Sequence, residues 1–190
     1  MTKTPDTAAF KDDFTKDFMD SPKEVKDGYY LFKSKTGGYT MLYPVNATLD
    51  NSYYERHKDY YEAIYYGDSY SKSNIAYSVK ATYEDKQITE DIDVNLDLLK
   101  DSLDYSGGFQ KLNSKDQAYY YAKKIDKVGK KGDVQKFYEF FSYIKSHKSH
   151  QAIRFLYTIT CADNTKKCVI NEKKEEEKAK MLMKSVEFKS

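Results

Sequence analysis

A chain of 190 residues with 39% apolar and 16% aromatic content is long enough to bury one core and too aromatic to be disordered. Its net charge of +2 makes no electrostatic case for a nucleic-acid partner, and no apolar run approaches the roughly 18 residues of a membrane-spanning helix. The charge is uneven, with 13 Lys and Arg against 18 Asp and Glu in residues 1–100 and 19 against 12 in residues 101–190.

The first twenty residues alternate charge with Phe and lack the apolar stretch of a signal peptide. Residues 1–6 are expected to be a flexible polar lead-in and residues 7–190 a single domain, because no Pro- or Ser-rich linker divides them. Such a start suits a cytosolic protein, and equally a mature exported domain preceded by an added methionine. Phe10, Phe14 and Phe18 predict a helix over 7–20, ended by Ser21-Pro22. Residues 28–33 read as a strand, Thr36-Gly37-Gly38 as a hairpin turn, and residues 39–43 as the returning strand, with Pro44 closing it or marking an edge.

Residues 46–58 are irregular, and 60–66 read as a strand. The clearest alternation is over 74–83, where Ile75, Tyr77, Val79 and Ala81 face one way and Ala76, Ser78, Lys80 and Thr82 the other. Ile92, Leu96, Leu99 and Leu103 predict a helix over 93–104, closed by Gly107-Gly108. Ser114 is placed to open another over 115–128, ended by Gly129. Residues 136–145 and 151–160 look like an antiparallel pair across a basic turn. Asn171 caps a helix to residue 184, and residues 186–188 close as a short strand. The expected fold is α+β: an antiparallel β-sheet flanked by helices in an α/β/α sandwich.

Twenty tyrosines and no tryptophan stand in the chain, nine of the tyrosines between Tyr53 and Tyr83. A flat apolar ring with a polar tip suits recognition surfaces and half-exposed sheets alike. The candidate binding surface is Tyr53, Tyr54, Tyr60, Tyr61, Tyr65, Tyr66 and Tyr70, as an aromatic platform for sugar, peptidoglycan or a peptide. Doublets place one ring on each face of a strand, which equally suits sheet building. Cys161 and Cys168 flank an Asp-Asn-Thr turn signal; they read as an extracellular disulfide, or as two buried thiols of a cytosolic protein. The lysines Lys123-Lys124, Lys127 and Lys130-Lys131 read as a solvated helix end and turn, or as a weak site for an anionic polymer.

Catalytic and metal signatures fail on inspection. Asp91, Asp93, Asn95 and Asp97 resemble a calcium loop, but Leu96 stands where the turn needs Gly and Ser102 where the bidentate Glu belongs. His147 and His150 with Cys161 and Cys168 have the wrong order for a zinc finger. His57 sits in a charged stretch with no nucleophile signature around it, and no nucleotide-binding or hydrolase motif occurs. No metal, cofactor or catalytic residue is assigned.

Two stretches carry a resemblance. Gly38-Tyr-Thr-Met-Leu-Tyr-Pro44, entered by a hairpin, resembles the opening of PsbP/Mog1-like domains, although Val45-Asn46-Ala47 stands where many members carry Trp. The final helix running into Met183-Lys-Ser-Val-Glu-Phe188 resembles their close. Abundant Lys, Asn and Tyr with scarce Pro also resemble the mature part of Bacillus-type lipoproteins of low-GC Gram-positive bacteria. That resemblance implies a lipid-bearing cysteine upstream of Thr2 and a non-catalytic, extracytoplasmic, membrane-tethered binding or accessory domain, with a protein or cell-wall polymer as partner and membrane contact only through the anchor. The alternatives are a cell-wall hydrolase whose acids meet only in the fold, and a cytosolic interaction domain.

Overall fold

Alternating burial builds most of this protein. The computed structural model describes residues 4–130 and 133–189, so residues 1–3 of the expected lead-in and Lys131 lie outside the described residues. Two single-turn helices, α1 (Ala8–Lys11) and α2 (Asp13–Lys16), precede β1 (Tyr29–Lys33) and β2 (Tyr39–Pro44). The short β3 (Thr48–Leu49) and β4 (Glu55–His57) lead to the long β5 (Tyr61–Tyr70) and β6 (Ile75–Asp85). A 3-10 turn over Gln87–Glu90 enters α3 (Ile92–Leu103), followed by β7 (Gln110–Asn113), β8 (Gln117–Lys130), β9 (Asp133–Ser146) and β10 (Gln151–Cys161). The chain closes with α4 (Glu172–Lys184) and β11 (Glu187–Phe188).

These strands form two antiparallel sheets. The smaller has the order β1-β2-β11; the larger has the order β3-β5-β6-β10-β9-β8-β7, with β4 also paired to β5. One face of the large sheet carries Ile64, Tyr66, Val79, Tyr83, Phe155 and Tyr157 into the main core, where β1, β2, α4 and Phe18 meet them. On the other face α3 sets Leu99 against Ala122, Phe141, Tyr143 and Ala152. Seven of the twelve largest fully buried side chains are tyrosines, so the tyrosine wealth is first of all core material. Some of their hydroxyls are satisfied, since Tyr143 donates to the Thr89 carbonyl at 2.8 Å and Tyr157 to the Glu175 carboxylate at 2.8 Å, whereas those of Tyr39, Tyr43 and Tyr66 are buried with no hydrogen-bond partner among the described residues.

Several expectations hold. The alternation over 74–83 is β6, with Tyr77, Val79, Ala81 and Tyr83 buried. The helix over 93–104 is α3, N-capped by the Asp91 carboxylate, which accepts from the Val94 N–H at 3.1 Å. It ends at Asp104 in the left-handed region (φ 48°) rather than at Gly107-Gly108, because Asp tolerates that conformation and its N–H returns to the last turn. Asn171 caps α4 by accepting from the Lys174 N–H at 3.1 Å.

Two helix expectations fail. Of residues 115–128, those from Gln117 on form most of strand β8. Ser114 is not a helix cap; it closes a hairpin turn, accepting from the Gln117 N–H and donating to the Gln117 carbonyl. Ser and Gly serve hairpins as readily as helix ends, and full-length pairing with β9 decides the matter, from Gln117 opposite Ser146 to Lys130 opposite Asp133. Lys123, Lys124, Lys127 and Lys130, read as a solvated helix end and turn, therefore stand on strand β8. The helix over 7–20 breaks at Asp12, whose extended backbone (φ −93°, ψ 116°) lets its carboxylate cap α2 at the Thr15 N–H, 2.7 Å away. The Phe stripe still reaches the interior: Phe10 meets Tyr30 at 4.9 Å and Phe14 meets Phe18 at 5.2 Å.

Helix α4 is pinned to the large sheet electrostatically. Burial works against ionising the Glu176 carboxyl, but hydrogen bonds from Lys123, Lys180 and Tyr121 outweigh it and hold its pKa at about 2 against an ordinary 4.5. A carboxylate depressed on folding contributes stability that is present above its unfolded pKa and lost as pH falls through its folded one. Unfolding free energy is therefore expected to decline between pH 4.5 and about 2, with about 1–2 kcal/mol of that decline absent in Glu176→Gln when urea unfolding is followed against pH.

Candidate functional site

Strand geometry sorts the seven candidate tyrosines. Alternation along β5 sends Tyr61 and Tyr65 to the outer face and Tyr66 to the core. Tyr66 is fully buried against Tyr43, 4.7 Å between ring centroids, which removes it from any surface. Tyr54 turns inward as well, meeting Phe14 at 5.5 Å and Phe18 at 5.3 Å and donating its hydroxyl to Glu62 at 3.1 Å. Tyr70 lies on the core-side face of the sheet, 5.9 Å from Tyr77. There the Lys178 ammonium of α4 sits 4.1 Å from the Tyr77 ring, 5.8 Å from Tyr157 and 5.9 Å from Tyr70. That cage is filled from within, and burial lowers the Lys178 pKa.

Tyr53, Tyr60, Tyr61 and Tyr65 are brought together. Tyr53 packs on Tyr65 with centroids 5.5 Å apart. His57, directly opposite Tyr61 in the β4–β5 pairing, lies 5.3 Å from the Tyr61 ring and 6.4 Å from Tyr60. Cations flank these rings: Lys80 sits 5.2 Å from Tyr53, and Lys86 4.7 Å from Tyr60 and 6.0 Å from Tyr61. Burial raises the Tyr61 phenol, with the Glu55 carboxylate adding to the effect, so the hydroxyl stays a hydrogen-bond donor. The patch runs into a groove of about 290 Å³ whose floor is Lys80, Thr82, Arg154 and Leu156 and whose wall is Leu98 and Ser102 of α3.

Sequence reasoning missed the flanking groups. For Lys80 and Thr82 the signal was present, since alternation puts them opposite buried Val79. Arg154 and Lys86 carried none, because their neighbours on this face come from distant parts of the chain.

Two acids of this surface are paired: Arg154 binds Glu84 at 2.9 Å and His57 binds Glu55 at 2.5 Å. Elsewhere, close carboxylates share a lysine. Lys124 lies 2.7 Å from Asp126 and 3.2 Å from Glu139, and Lys123 lies between Glu172 and Glu176. The two-Cys, two-His set does not assemble, because the cysteines bond to each other and His150 pairs with Glu90 at 2.9 Å. Among the described residues no cluster of three or more His, Cys, Asp or Glu side chains is placed to hold a metal. The calcium-like acids serve α3: Asp91 caps it, and the Asn95 amide donates to the carbonyls of Ile88 and Asp91.

Cys161 and Cys168 form a disulfide with Cα atoms 5.9 Å apart. Asn74, in the β5–β6 turn, ties this loop down through bonds to the Asp163 backbone at 2.7 and 2.9 Å. A larger cleft, about 470 Å³, opens where the two sheets meet, with Gln117, Gln151, Lys148 and Phe188 in its lining. Its glutamines staple strands together: the Gln117 amide donates to the Val186 carbonyl, and the Gln151 amide donates to the Gly38 and Lys189 carbonyls. Among the described residues no helix is long and apolar enough to cross a membrane.

Comparison with known proteins adds three findings. The profile of a YvcA–Mog1p family, described as "Putative lipoprotein YvcA", matches residues 5–187. A Bacillus subtilis (strain 168) protein described by the same words is 28% identical over 193 aligned positions, covering 97% of this chain and 78% of that protein. No solved structure matches.

Proposed function

The chain belongs to this Bacillus-type lipoprotein family with Mog1-like resemblance, and we propose that it is a non-catalytic, membrane-tethered binding domain that uses its outer tyrosine face. Membership implies an extracytoplasmic, membrane-anchored accessory protein. We read residues 7–190 as one domain and its helix-bearing sheet as a PsbP/Mog1-like sandwich.

The carrying observation is the convergence of Tyr53, Tyr60, Tyr61, Tyr65 and His57 on one face, fringed by Lys80, Lys86 and the Arg154–Glu84 pair. Flat rings stack on the apolar face of a sugar, and the polar fringe bonds its hydroxyls. The preferred ligand is therefore a wall glycan. Carboxylates already engaged by Arg154 and His57 favour binding over hydrolysis. A second reading, a protein partner, is favoured by the exposed Leu98 and Val94 on the neighbouring α3.

Co-sedimentation with purified insoluble cell wall tests this. The wild-type chain is expected to pellet with the wall. Tyr61→Ala combined with Tyr65→Ala is expected to weaken binding by about tenfold or more, at a stability cost under about 2 kcal/mol. Release of soluble sugar during incubation would instead favour a hydrolase, and binding unaffected by the double substitution would remove this face from the account.

A further inference from the structure

Strands β8 and β9 outrun their neighbours. β10 follows β9 only as far as Thr160 opposite Phe137, while β8 and β9 stay paired through Lys127 opposite Lys136 to Lys130 opposite Asp133. At roughly 3.3 Å per residue, this two-stranded ribbon extends about 13 Å past the sheet. Four of the ten large apolar side chains exposed on the described surface lie toward this end: Ile125 and Val134 on one face of the strand pair, Val128 on the other, and Val169 just past the disulfide.

The charge there is one-sided. Residues 123–137 hold six lysines against two aspartates. Lys124 is neutralised by Asp126 and Glu139, but among the described side chains Lys127 and Lys136 have no carboxylate partner. Lys127 and Lys136 also face each other directly across the ribbon, a like-charge pairing that weakens the hairpin in isolation. An anionic surface relieves it.

We propose that this ribbon is a membrane-surface contact. Its lysines meet anionic lipid headgroups while Ile125, Val128, Val134 and Val169 enter the interfacial layer. A dissolved polyanion would engage the lysines and leave these four side chains in water, so the exposed apolar side chains favour a bilayer. The inference rests on the membrane-tethered reading above and adds a second, non-covalent contact that orients the domain.

The test mixes the 190-residue chain in solution with phosphatidylcholine vesicles, with or without phosphatidylglycerol, and measures flotation. Binding is expected only with phosphatidylglycerol and is expected to weaken at raised ionic strength. Lys127→Gln with Lys136→Gln is expected to lower the partition coefficient about thirtyfold. Val128→Ser with Val134→Ser is expected to lower it about tenfold or more, while Lys173→Gln with Lys174→Gln on α4 leaves it unchanged. No binding to anionic vesicles, or equal binding by all variants, overturns the proposal. Loss with the lysine pair but not the valine pair, together with full competition by a soluble glycerol-phosphate polymer, overturns it in favour of a polyanion site. The ribbon variants leave the tyrosine face intact, so wall binding by the same proteins separates failure of this contact from failure of that surface.

Discussion

Phe155→Ala is expected to cost about 3–5 kcal/mol of unfolding free energy, the largest effect of any single truncation considered. Phe155 is 0% exposed and sits mid-strand in β10, with Ala81 of β6 and Ser142 of β9 as its lateral partners. Strands hydrogen-bonded on both sides hold the backbone in place, so the lost ring leaves a cavity that cannot collapse. Urea unfolding at constant m-value is the check. Phe155→Leu, which keeps most of the volume, is expected to lose less than half as much. Equal losses for the two variants would mean that the site relaxes and that the core is less rigid than described.

Replacing both Cys161 and Cys168 with alanine is expected to cost about 2–3 kcal/mol, because the bridge closes a short loop in the unfolded chain. Asn74 anchors the same loop, so the effect on the folded side should stay local to the β5–β6 turn and the end of β10. Chemical denaturation of the oxidised protein against the alanine pair measures it. Thiol titration of the denatured, unreduced protein is expected to find no reactive thiol; two would contradict the bridge and weaken the case for export.

Sequence pattern made the central sheet legible wherever one face is buried and the other is not. The alternation around Val79 becomes β6, and residues 151–160, expected to be half of an antiparallel pair, become β10. Strand β8 was harder because Tyr119, Tyr121, Lys123 and Ile125 alternate between two punctuation residues, Ser114 and Gly129, that helices also use. Only the pairing with β9 separates the two cases, and a single segment does not display it. The break at Asp12 has the same character, since four-residue Phe spacing survives a change of backbone direction when each ring finds its own partner.

The candidate surface was half legible for a related reason. Doublets imply one ring inside and one outside, which holds for Tyr65 and Tyr66 and for Tyr53 and Tyr54. Which ring goes in depends on residues far away in the chain: Phe14 and Phe18 draw Tyr54 inward, and Tyr77 and Lys178 take Tyr70 to the other side of the sheet. The cations around the outer rings are likewise contributed by β6 and by the segment after it, and they become neighbours only on folding.

The most direct test of a binding role for the outer face is a site-resolved nuclear magnetic resonance titration of the protein with solubilised wall glycan strands. Ring and backbone resonances of Tyr53, Tyr60, Tyr61 and Tyr65 are expected to move together along one saturable curve, with those of α4 still and the glycan unshortened. Unmoved tyrosine resonances at saturating glycan, or movement confined to the β11 end of the molecule, would contradict it.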